Sequence, residues 1–425
     1  MSGLGEGRQE PGPRPDRSRW IVLVLVALAV RVTYLFLATD VEAAPSDSGH
    51  YREIASNLAA GDGFSSTFPQ LFVHATAFRP PGYPVLLAGL FRITGPSMVG
   101  GKLLNVAIGV AVVVLVAWLV RHRVSPIAGW IAGGLVAIYP PLVANDVNLL
   151  TEPLSLLLLV LLAAEVSGRA RWWLLGMETA LLVLTRPSAQ AFLLVVIAST
   201  FRRIGFRRTV AYAVVVVMLV APWMVRNRLQ IGTWNLYTSN GFNIAAMYSK
   251  PAQDSRSFVD PVFDERFRDH RLSQFDEGAW DREMAEVGLD GLRSNPRYVV
   301  FNVGRNAVAT LELWPALNEP AEREDGRNLT VRLVTLPVFY IVTGLGVVGS
   351  WRQRRTVAVS FLAVSGLYFV VVSLFFVAPP RLRAPFDLAC CIGTAVLVAA
   401  WLQASVAWRT LRWPGPGQRD RTGRS

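Results

Sequence analysis

Long apolar stretches, separated by short basic segments, follow one another along most of the chain. A helix of about 20 apolar residues crosses the hydrocarbon core of a bilayer, so the pattern predicts about ten membrane spans. The predicted spans are residues 20–38, 102–120, 126–143, 153–167, 172–185, 188–201, 209–225, 331–350, 356–377 and 386–407. The pattern therefore predicts an all-α polytopic membrane protein.

The first apolar stretch has two interpretations. A basic tail in front of it and the small residues at 43 and 44 are typical of a signal peptide. The apolar core of a signal peptide, however, usually has about 7 to 15 residues. Residues 20–38 form a longer run that contains Arg31. We therefore interpret the run as a membrane anchor, which follows a disordered basic cytoplasmic tail of residues 1–19.

The basic segments set the orientation of the chain, because arginine and lysine favour cytoplasmic loops. Residues 84–94 are apolar but too short to span, so we interpret them as an interfacial or re-entrant helix. With that interpretation both termini and every arginine-rich connection are cytoplasmic. These basic segments are residues 121–123, 168–171, 202–208, 352–355 and the tail 409–425.

Two longer segments then lie outside the cytoplasm within a transmembrane domain of residues 20–408. The first outer loop, residues 39–101, is expected to contain interfacial helices. The second, residues 226–330, is expected to have mixed structure. Its residues 296–314 alternate apolar and charged positions, which fits an amphipathic helix on the membrane surface. A small lobe with its own core fits equally well.

Composition and charge exclude several classes of function. The chain is 52% hydrophobic and carries a net charge of +12, but its arginines lie between apolar stretches, which excludes a nucleic-acid-binding surface. Its two cysteines, Cys390 and Cys391, are adjacent and provide neither a disulfide framework nor metal-ligand spacing. The segment 344–349 (GLGVVG) fits a dinucleotide fingerprint, but no strand precedes it, so we expect close helix packing instead.

Two carboxylates lie at predicted outer ends of spans. Asp47 precedes an amphipathic segment, where it could act as a general base or simply cap a helix. Glu152 stands before a proline at the mouth of a span, a position that the helix dipole also favours. A divalent metal is possible at these two carboxylates, although nothing in the sequence requires one.

Four arginines are predicted at the same outer face: Arg79, Arg186, Arg381 and Arg383. Guanidinium groups suit phosphate oxygens, although any one of them alone could extend its side chain to the membrane interface. Together with the two carboxylates they indicate a site for an anionic lipid headgroup. Arg31 lies within a span, where a charge is either functional or paired with a buried polar group on another helix.

Several of these segments occur together in one known family. They are, in order, residues 47–51 (DSGHY), 54–58 (IASNL), 61–64 (GDGF), 79–84 (RPPGYP), 150–153 (LTEP), 240–243 (NGFN) and 381–385 (RLRAP). The chain resembles bacterial family 39 glycosyltransferases, which are GT-C-fold relatives of protein O-mannosyltransferases and lipid A aminoarabinose transferases. The first loop carries the most specific part of this resemblance.

The resemblance implies a sugar transferase of the plasma (inner) membrane. Such enzymes take a sugar from a polyprenyl-phosphate donor and pass it, with inversion, to a glycan, lipid or protein acceptor outside the cytoplasm. The catalytic carboxylate would be Asp47, supported by Glu152. The arginines 79, 186, 381 and 383 would bind the lipid phosphate, and substrate contacts would come from His50, Tyr51, Tyr83, Asn240 and Asn243.

The predicted location of the site outside the cytoplasm also points to this kind of donor. Nucleotide sugars and ATP are absent outside the membrane, so chemistry on that face requires a donor that is already activated on a lipid.

Two alternatives to a sugar transferase remain. One is a transporter or flippase for lipid-linked saccharides, which should carry charges inside several spans and paired repeats. The other is a non-catalytic relative in a cell-envelope assembly complex.

Overall fold

The computed structural model describes residues 17–43, 46–377 and 379–412, of which residues 46, 271–275 and 406–412 are described by their backbone alone. Most of the predicted tails 1–19 and 409–425 therefore lies outside the described residues. Residues 17–19 already belong to the first helix, and residues 409–412 belong to the last.

The described residues form seventeen α-helices and a two-stranded sheet. The strands β1 (Ser65–Ser66) and β2 (His74–Ala75) are antiparallel, with Ser65 opposite Ala75. The helices are α1 (Arg17–Ala38), α2 (Ser46–Ala60), α3 (Gly82–Thr94), α4 (Met98–Arg123), α5 (Pro126–Ile138), α6 (Pro140–Asp146), α7 (Glu152–Ser167), α8 (Trp172–Thr185), α9 (Phe192–Gln230), α10 (Ser239–Tyr248), α11 (Lys250–Ser255), α12 (Glu277–Ser294), α13 (Tyr298–Thr310), α14 (Glu319–Glu324), α15 (Leu329–Arg352), α16 (Val357–Phe375) and α17 (Ala384–Arg412).

Within this described part, six helices are long and apolar enough to cross a membrane, namely α1, α4, α9, α15, α16 and α17. A seventh span results if α5 and α6, which meet at 60°, are counted as one. The chain is thus a multi-pass membrane protein, but the predicted ten spans are not confirmed. The predicted spans 153–167 and 172–185 coincide with α7 and α8, which have 16 and 14 residues.

A glycine and a proline explain the break within α9 and the break between α5 and α6. Residue 205 is a glycine with φ 76° and ψ 170°, a conformation outside the helical region that a side chain would oppose. It interrupts α9 within the predicted connection 202–208, between the predicted spans 188–201 and 209–225. Tyr139 precedes Pro140 and adopts an extended conformation, because a residue before proline is disfavoured in the helical region. This ends α5 and turns the chain into α6.

Small residues allow α15 and α17 to approach each other closely. A Cβ added at Gly349 would overlap the carbonyl oxygen of Gly393, and one at Gly346 would overlap the backbone of Cys390. The segment 344–349 is therefore a helix-packing motif, as its apolar surroundings predict. Cys390 and Cys391 are both buried as free thiols, and Cys390 lies at this interface.

The predicted first outer loop contains two helices, α2 and α3, which pack on each other. The predicted second loop folds into helices α10 to α14 with connecting turns. Its core contains Phe242, Trp280 and Met284, and two residues of the first loop, Phe68 and Phe78, join this core. The interpretation as a lobe with its own core therefore fits the structure, although α13 also exposes Val300.

Polar contacts tie this lobe to the first loop. The carboxylate of Glu277 accepts hydrogen bonds from the backbone N–H of Ala77, at 2.8 Å, and from the hydroxyl of Thr238. It also lies 2.8 Å from Nε2 of His74. Arg226 donates to the carbonyl oxygens of Thr76 and Phe64. These contacts hold residues 64–77 in place and thereby position Arg79, which follows them.

Arg31 is buried and paired with a carboxylate on another helix. Its Nε lies 2.8 Å from the carboxylate of Asp146, and its Nη1 donates to the carbonyl oxygens of Ala27 and Ala137. All of its described partners belong to α1, α5 and α6. Of the two alternatives that the sequence left open for Arg31, the structure shows the second, a pairing with a buried polar group on another helix.

Candidate active site

Asp47 lies at the centre of a charged cluster formed by three distant parts of the chain. It belongs to the first turn of α2, and its Oδ1 accepts a hydrogen bond from Nη2 of Arg79. Its Oδ2 accepts one from Nη2 of Arg381, in the 3₁₀ turn Pro380–Arg383 before α17. Both carboxylate oxygens therefore bind guanidinium groups.

The electrostatic environment keeps this carboxylate ionised. Burial alone would raise the pKa of Asp47, but the charges of Arg79 and Arg381 outweigh it and hold the pKa well below its usual range. His50 stacks on Phe68 and lies 2.9 Å from Nη2 of Arg79. Burial and the Arg79 charge lower the pKa of His50 to about 4. His50 is therefore neutral near pH 7, so its Nδ1 can accept a hydrogen bond from Arg79.

A second pair of opposite charges lies beside the first. Glu152 begins α7, and its carboxylate is 4.0 Å from Nη2 of Arg186, the residue that directly follows α8. The same Nη2 donates to the carbonyl oxygen of Leu382, at 3.1 Å, and the guanidinium covers the ring of Phe369. Both charged side chains are buried. The contact with Leu382 places this pair next to the turn that carries Arg381.

Two buried tyrosines lie beside these pairs. The guanidinium of Arg79 lies 5.5 Å from the centre of the Tyr51 ring, and Tyr51 contacts the edge of Tyr83. Burial raises the pKa of Tyr51 to about 12, so it remains a neutral phenol. The charges of Asp47 and Glu152 both act on this hydroxyl. Tyr51 therefore lies close to both ion pairs.

The cluster retains buried N–H groups that have no hydrogen-bond partner. They are Nε of Arg79, Nε of Arg381 and Nη1 of Arg186. A buried unsatisfied donor costs about 1 to 3 kcal/mol, and more when it is charged. An anion with several oxygens, such as a phosphate monoester, would satisfy such donors. The arrangement therefore has the chemistry of an anion-binding site around a carboxylate.

Asp325 joins the cluster, although the sequence did not indicate it. Its Oδ1 lies 3.2 Å from Nη1 of Arg381, and its Oδ2 is buried without a partner. Burial raises the pKa of Asp325 to about 7, against the opposing charges of Arg381 and Arg327. The surrounding residues 322–327 (EREDGR) have the composition of a solvated loop. No spacing or apolar pattern in that segment indicates a buried site.

The comparisons with known proteins address the fold. No protein-family model matches the chain, and no curated protein sequence matches it. The oligosaccharyltransferase AglB from Archaeoglobus fulgidus, in complex with an inhibitory peptide and a dolichol-phosphate, superposes with a TM-score of 0.54 at 13% identity. Its apo form gives the same values. The chain has a GT-C fold.

This GT-C likeness covers 95% of the chain but 52% of AglB, so the chain spans about half the length of the protein it matches. ArnT from Cupriavidus metallidurans overlaps 95% of the chain and 82% of its own length at 15% identity. The TM-score of this superposition is 0.42. Membership of family 39 in particular is not confirmed and stays a prediction.

Three of the predicted site residues lie apart from the cluster. Arg383 is fully buried, lies 2.6 Å from the carboxylate of Glu312 and 3.2 Å from that of Asp387, and covers the ring of Phe339. Asn240 and Asn243 donate to backbone carbonyls of their own segment, those of Tyr237 and Ser239. The structure does not bring these three residues to Asp47.

The groups around Asp47 and Glu152 do not favour a bound cation. The part of the chain that the structure describes has no group of three His, Cys, Asp or Glu side chains with metal-ligand geometry. Asp47 binds two guanidinium groups and Glu152 faces a third, so the nearest charges would repel a divalent metal. The arrangement as it stands does not fit a metal at these carboxylates.

Proposed function

We propose that the chain transfers a sugar from a polyprenyl-phosphate-linked donor to an acceptor hydroxyl on the extracytoplasmic side of a plasma membrane. The observation that carries this proposal is the pairing of Asp47 with two guanidinium groups that still have unsatisfied N–H donors. A proton acceptor and a phosphate site thereby share one location. The GT-C fold and the resemblance of residues 47–51 and 79–84 support the same reaction.

In the proposed reaction the acceptor hydroxyl oxygen attacks the anomeric carbon. The bond from that carbon to the phosphate oxygen breaks, and its electron pair stays on the phosphate. A single displacement of this kind inverts the anomeric configuration. The proton of the hydroxyl passes to the carboxylate of Asp47. Charge grows on the leaving phosphate, so Arg79, Arg186 and Arg381 would lower the barrier by neutralising it.

The neighbouring groups take supporting roles in this proposal. Glu152 orients Arg186, and the neutral imidazole of His50 orients Arg79. The ring of Tyr51 can contact the sugar ring or the first isoprene unit, whereas Tyr83 is fully buried and supports the Tyr51 ring by an edge contact. Arg383 is not assigned to the phosphate in this proposal, because it is fully buried and faces Glu312 and Asp387 instead of Asp47.

The lipid nature of the donor is also part of the proposal. AglB, which has a similar fold, is known in complex with a dolichol-phosphate. The basic connections lie at the other end of the helices: Arg203 donates to the carbonyl oxygens of Val166 and Gly168, and Arg123 approaches Gly168. The positive-inside bias then supports an extracytoplasmic site and cytoplasmic termini. The acceptor is a glycan, a lipid or a protein.

The test is sugar transfer in proteoliposomes. Purified protein is supplied with a panel of synthetic polyprenyl-phosphate sugars, including mannose, arabinose and glucose, together with an extract of bacterial membranes as the acceptor source. We expect the wild type to transfer one of these sugars and Asp47→Asn to retain the lipid without turnover. Asp62→Asn is the matched control, since Asp62 is an exposed carboxylate of the same loop.

The outcomes separate the candidate functions. Normal transfer by Asp47→Asn would remove Asp47 from the chemical step. Movement of the lipid across the bilayer by the wild type, without any transfer, would favour a transporter instead. If the wild type neither transfers a sugar nor moves the lipid with any donor of the panel, the proposal fails and the non-catalytic alternative takes its place.

A further inference from the structure

Arg381 is shared by two carboxylates that come from different parts of the fold. Its Nη2 binds Asp47, in α2, and its Nη1 lies 3.2 Å from Asp325, directly after α14. The segment of Asp325 is itself held in place, because its carbonyl oxygen accepts a hydrogen bond of 3.2 Å from the amide of Asn148. One guanidinium thus connects a loop at the start of the chain with a buried turn in the lobe.

The two sides of this guanidinium differ in access. The side chain of Asp47 is 17% exposed, and Arg79, on the same side, is equally exposed. The side chain of Asp325 is 6% exposed. An incoming phosphate would therefore reach Arg381 from the side of Asp47 and leave its contact with Asp325 in place.

Asp47 is a poor proton acceptor while both of its oxygens bind arginine N–H groups. A carboxylate held in this way is a weak base, because every bond to its charged form opposes protonation. A phosphate offers oxygens to the same donors and competes with Asp47 for them. The site therefore contains a competition between a side chain and the proposed substrate.

We propose that the phosphate of the donor displaces Asp47 from Arg381, and that Asp325 is the positioning residue which keeps Arg381 in the site during this exchange. The inference rests on the proposed function and deepens it. Donor binding then frees one oxygen of Asp47 to accept the proton of the acceptor hydroxyl. The proton acceptor is thus released only when the leaving group is in place.

Two isosteric variants test this exchange. Asp47→Asn and Asp325→Asn each replace a carboxyl group beside the same guanidinium with a neutral amide. If charge alone mattered, both would bind an anion more tightly. The exchange predicts opposite signs: Asp47→Asn binds polyprenyl monophosphate about tenfold more tightly, a change of about 1.4 kcal/mol, because its competitor is gone. Asp325→Asn binds it about tenfold more weakly, because Arg381 is no longer positioned.

The measurement uses the full chain in lipid nanodiscs, with sugar-free polyprenyl monophosphate as the probe. We expect Asp325→Glu to restore most of the affinity and Asp62→Asn to leave it unchanged. In transfer assays Asp325→Asn should raise the donor KM about tenfold and keep kcat within about threefold. If Asp325→Asn does not fold, Asn148→Ala replaces it, since this amide only positions the turn, and the same weakening is expected.

A shift of both variants in the same direction would overturn the inference. Tighter binding by both variants would mean that Asp325 only repels the phosphate and does not position Arg381. Weaker binding by both would mean that Asp47 positions Arg381 for the phosphate and does not compete with it. These results differ from a failure of the proposed function. In that case the wild type itself would neither bind polyprenyl monophosphate nor transfer a sugar.

Discussion

Arg381 and Asp47 form an ion pair across 334 positions of sequence. Asp47 stands in the first turn of α2, whereas Arg381 stands in the turn that leads into α17, the last described helix. The pair therefore connects the first loop with the last helix of the membrane domain. Residues in direct ionic contact behave non-additively, so changes at Asp47 and Arg381 should be coupled in double-mutant cycles.

Arg79→Lys should weaken donor binding although it keeps the positive charge. The guanidinium plane of Arg79 lies over the rings of Tyr51 and Phe78, and an ammonium group cannot reproduce this planar contact or a forked contact with phosphate. We expect a donor KM about tenfold higher, with a smaller loss of kcat. Arg92→Lys, at an exposed position in α3, is the control. An unchanged donor KM in Arg79→Lys would place the phosphate elsewhere.

Arg383→Gln should destabilise the protein, because Arg383 neutralises Glu312 and Asp387 inside the bundle. Removing one partner of a buried ion pair leaves uncompensated charge and typically costs about 3 to 5 kcal/mol. Thermal unfolding in detergent measures the loss. Arg323→Gln, in an exposed pair with Glu319, should cost less than about 1 kcal/mol. A stable Arg383→Gln variant with weakened donor binding would instead support the phosphate contact that the resemblance implies.

Gly349→Ala should separate α15 from α17. The added methyl group would overlap the carbonyl oxygen of Gly393, a backbone atom that cannot move aside cheaply. We expect a loss of about 1 to 3 kcal/mol in thermal unfolding experiments. Gly344→Ala is the matched control on the same helix, since nothing lies within 4 Å of its added Cβ. Equal stability of the two variants would contradict the close helix contact.

Much of the site could be predicted from the sequence, because its residues stand where apolar stretches end. Arg79 and Arg186 each precede a proline, and Arg381 follows one, at positions where positive charge is unusual on the predicted face. Glu152 begins a helix in front of a proline. Such residues are conspicuous against an apolar background, and the fold brings Asp47, Arg79 and Arg381 together.

The rest depends on contacts that no local pattern records. Asp325 stands in a charged segment that looks solvated, but it is buried where Arg381 and Asn148 meet it from turns that are distant in the sequence. Arg383 is two residues from Arg381, but a 3₁₀ turn directs the two side chains to different partners. The number of spans does not follow from the apolar pattern for a related reason: the break in α9 depends on the backbone conformation of one residue, Gly205.

The pH dependence of stability should report on His50. Its pKa is about 4 in the folded chain, against the usual 6.5, because burial and Arg79 oppose its charged form. Between these two values the unfolded chain binds a proton that the folded chain does not, so stability falls as the pH drops from 6.5 towards 4. We expect about 2 kcal/mol of this loss between pH 7 and pH 5 to come from His50.

Thermal unfolding of His50→Gln over this range should show a smaller decrease than the wild type, whereas His122→Gln, at an exposed position, should follow the wild type. Equal slopes for His50→Gln and the wild type would mean that other groups cause the acid sensitivity, and that His50 does not lie against Arg79 as a neutral imidazole.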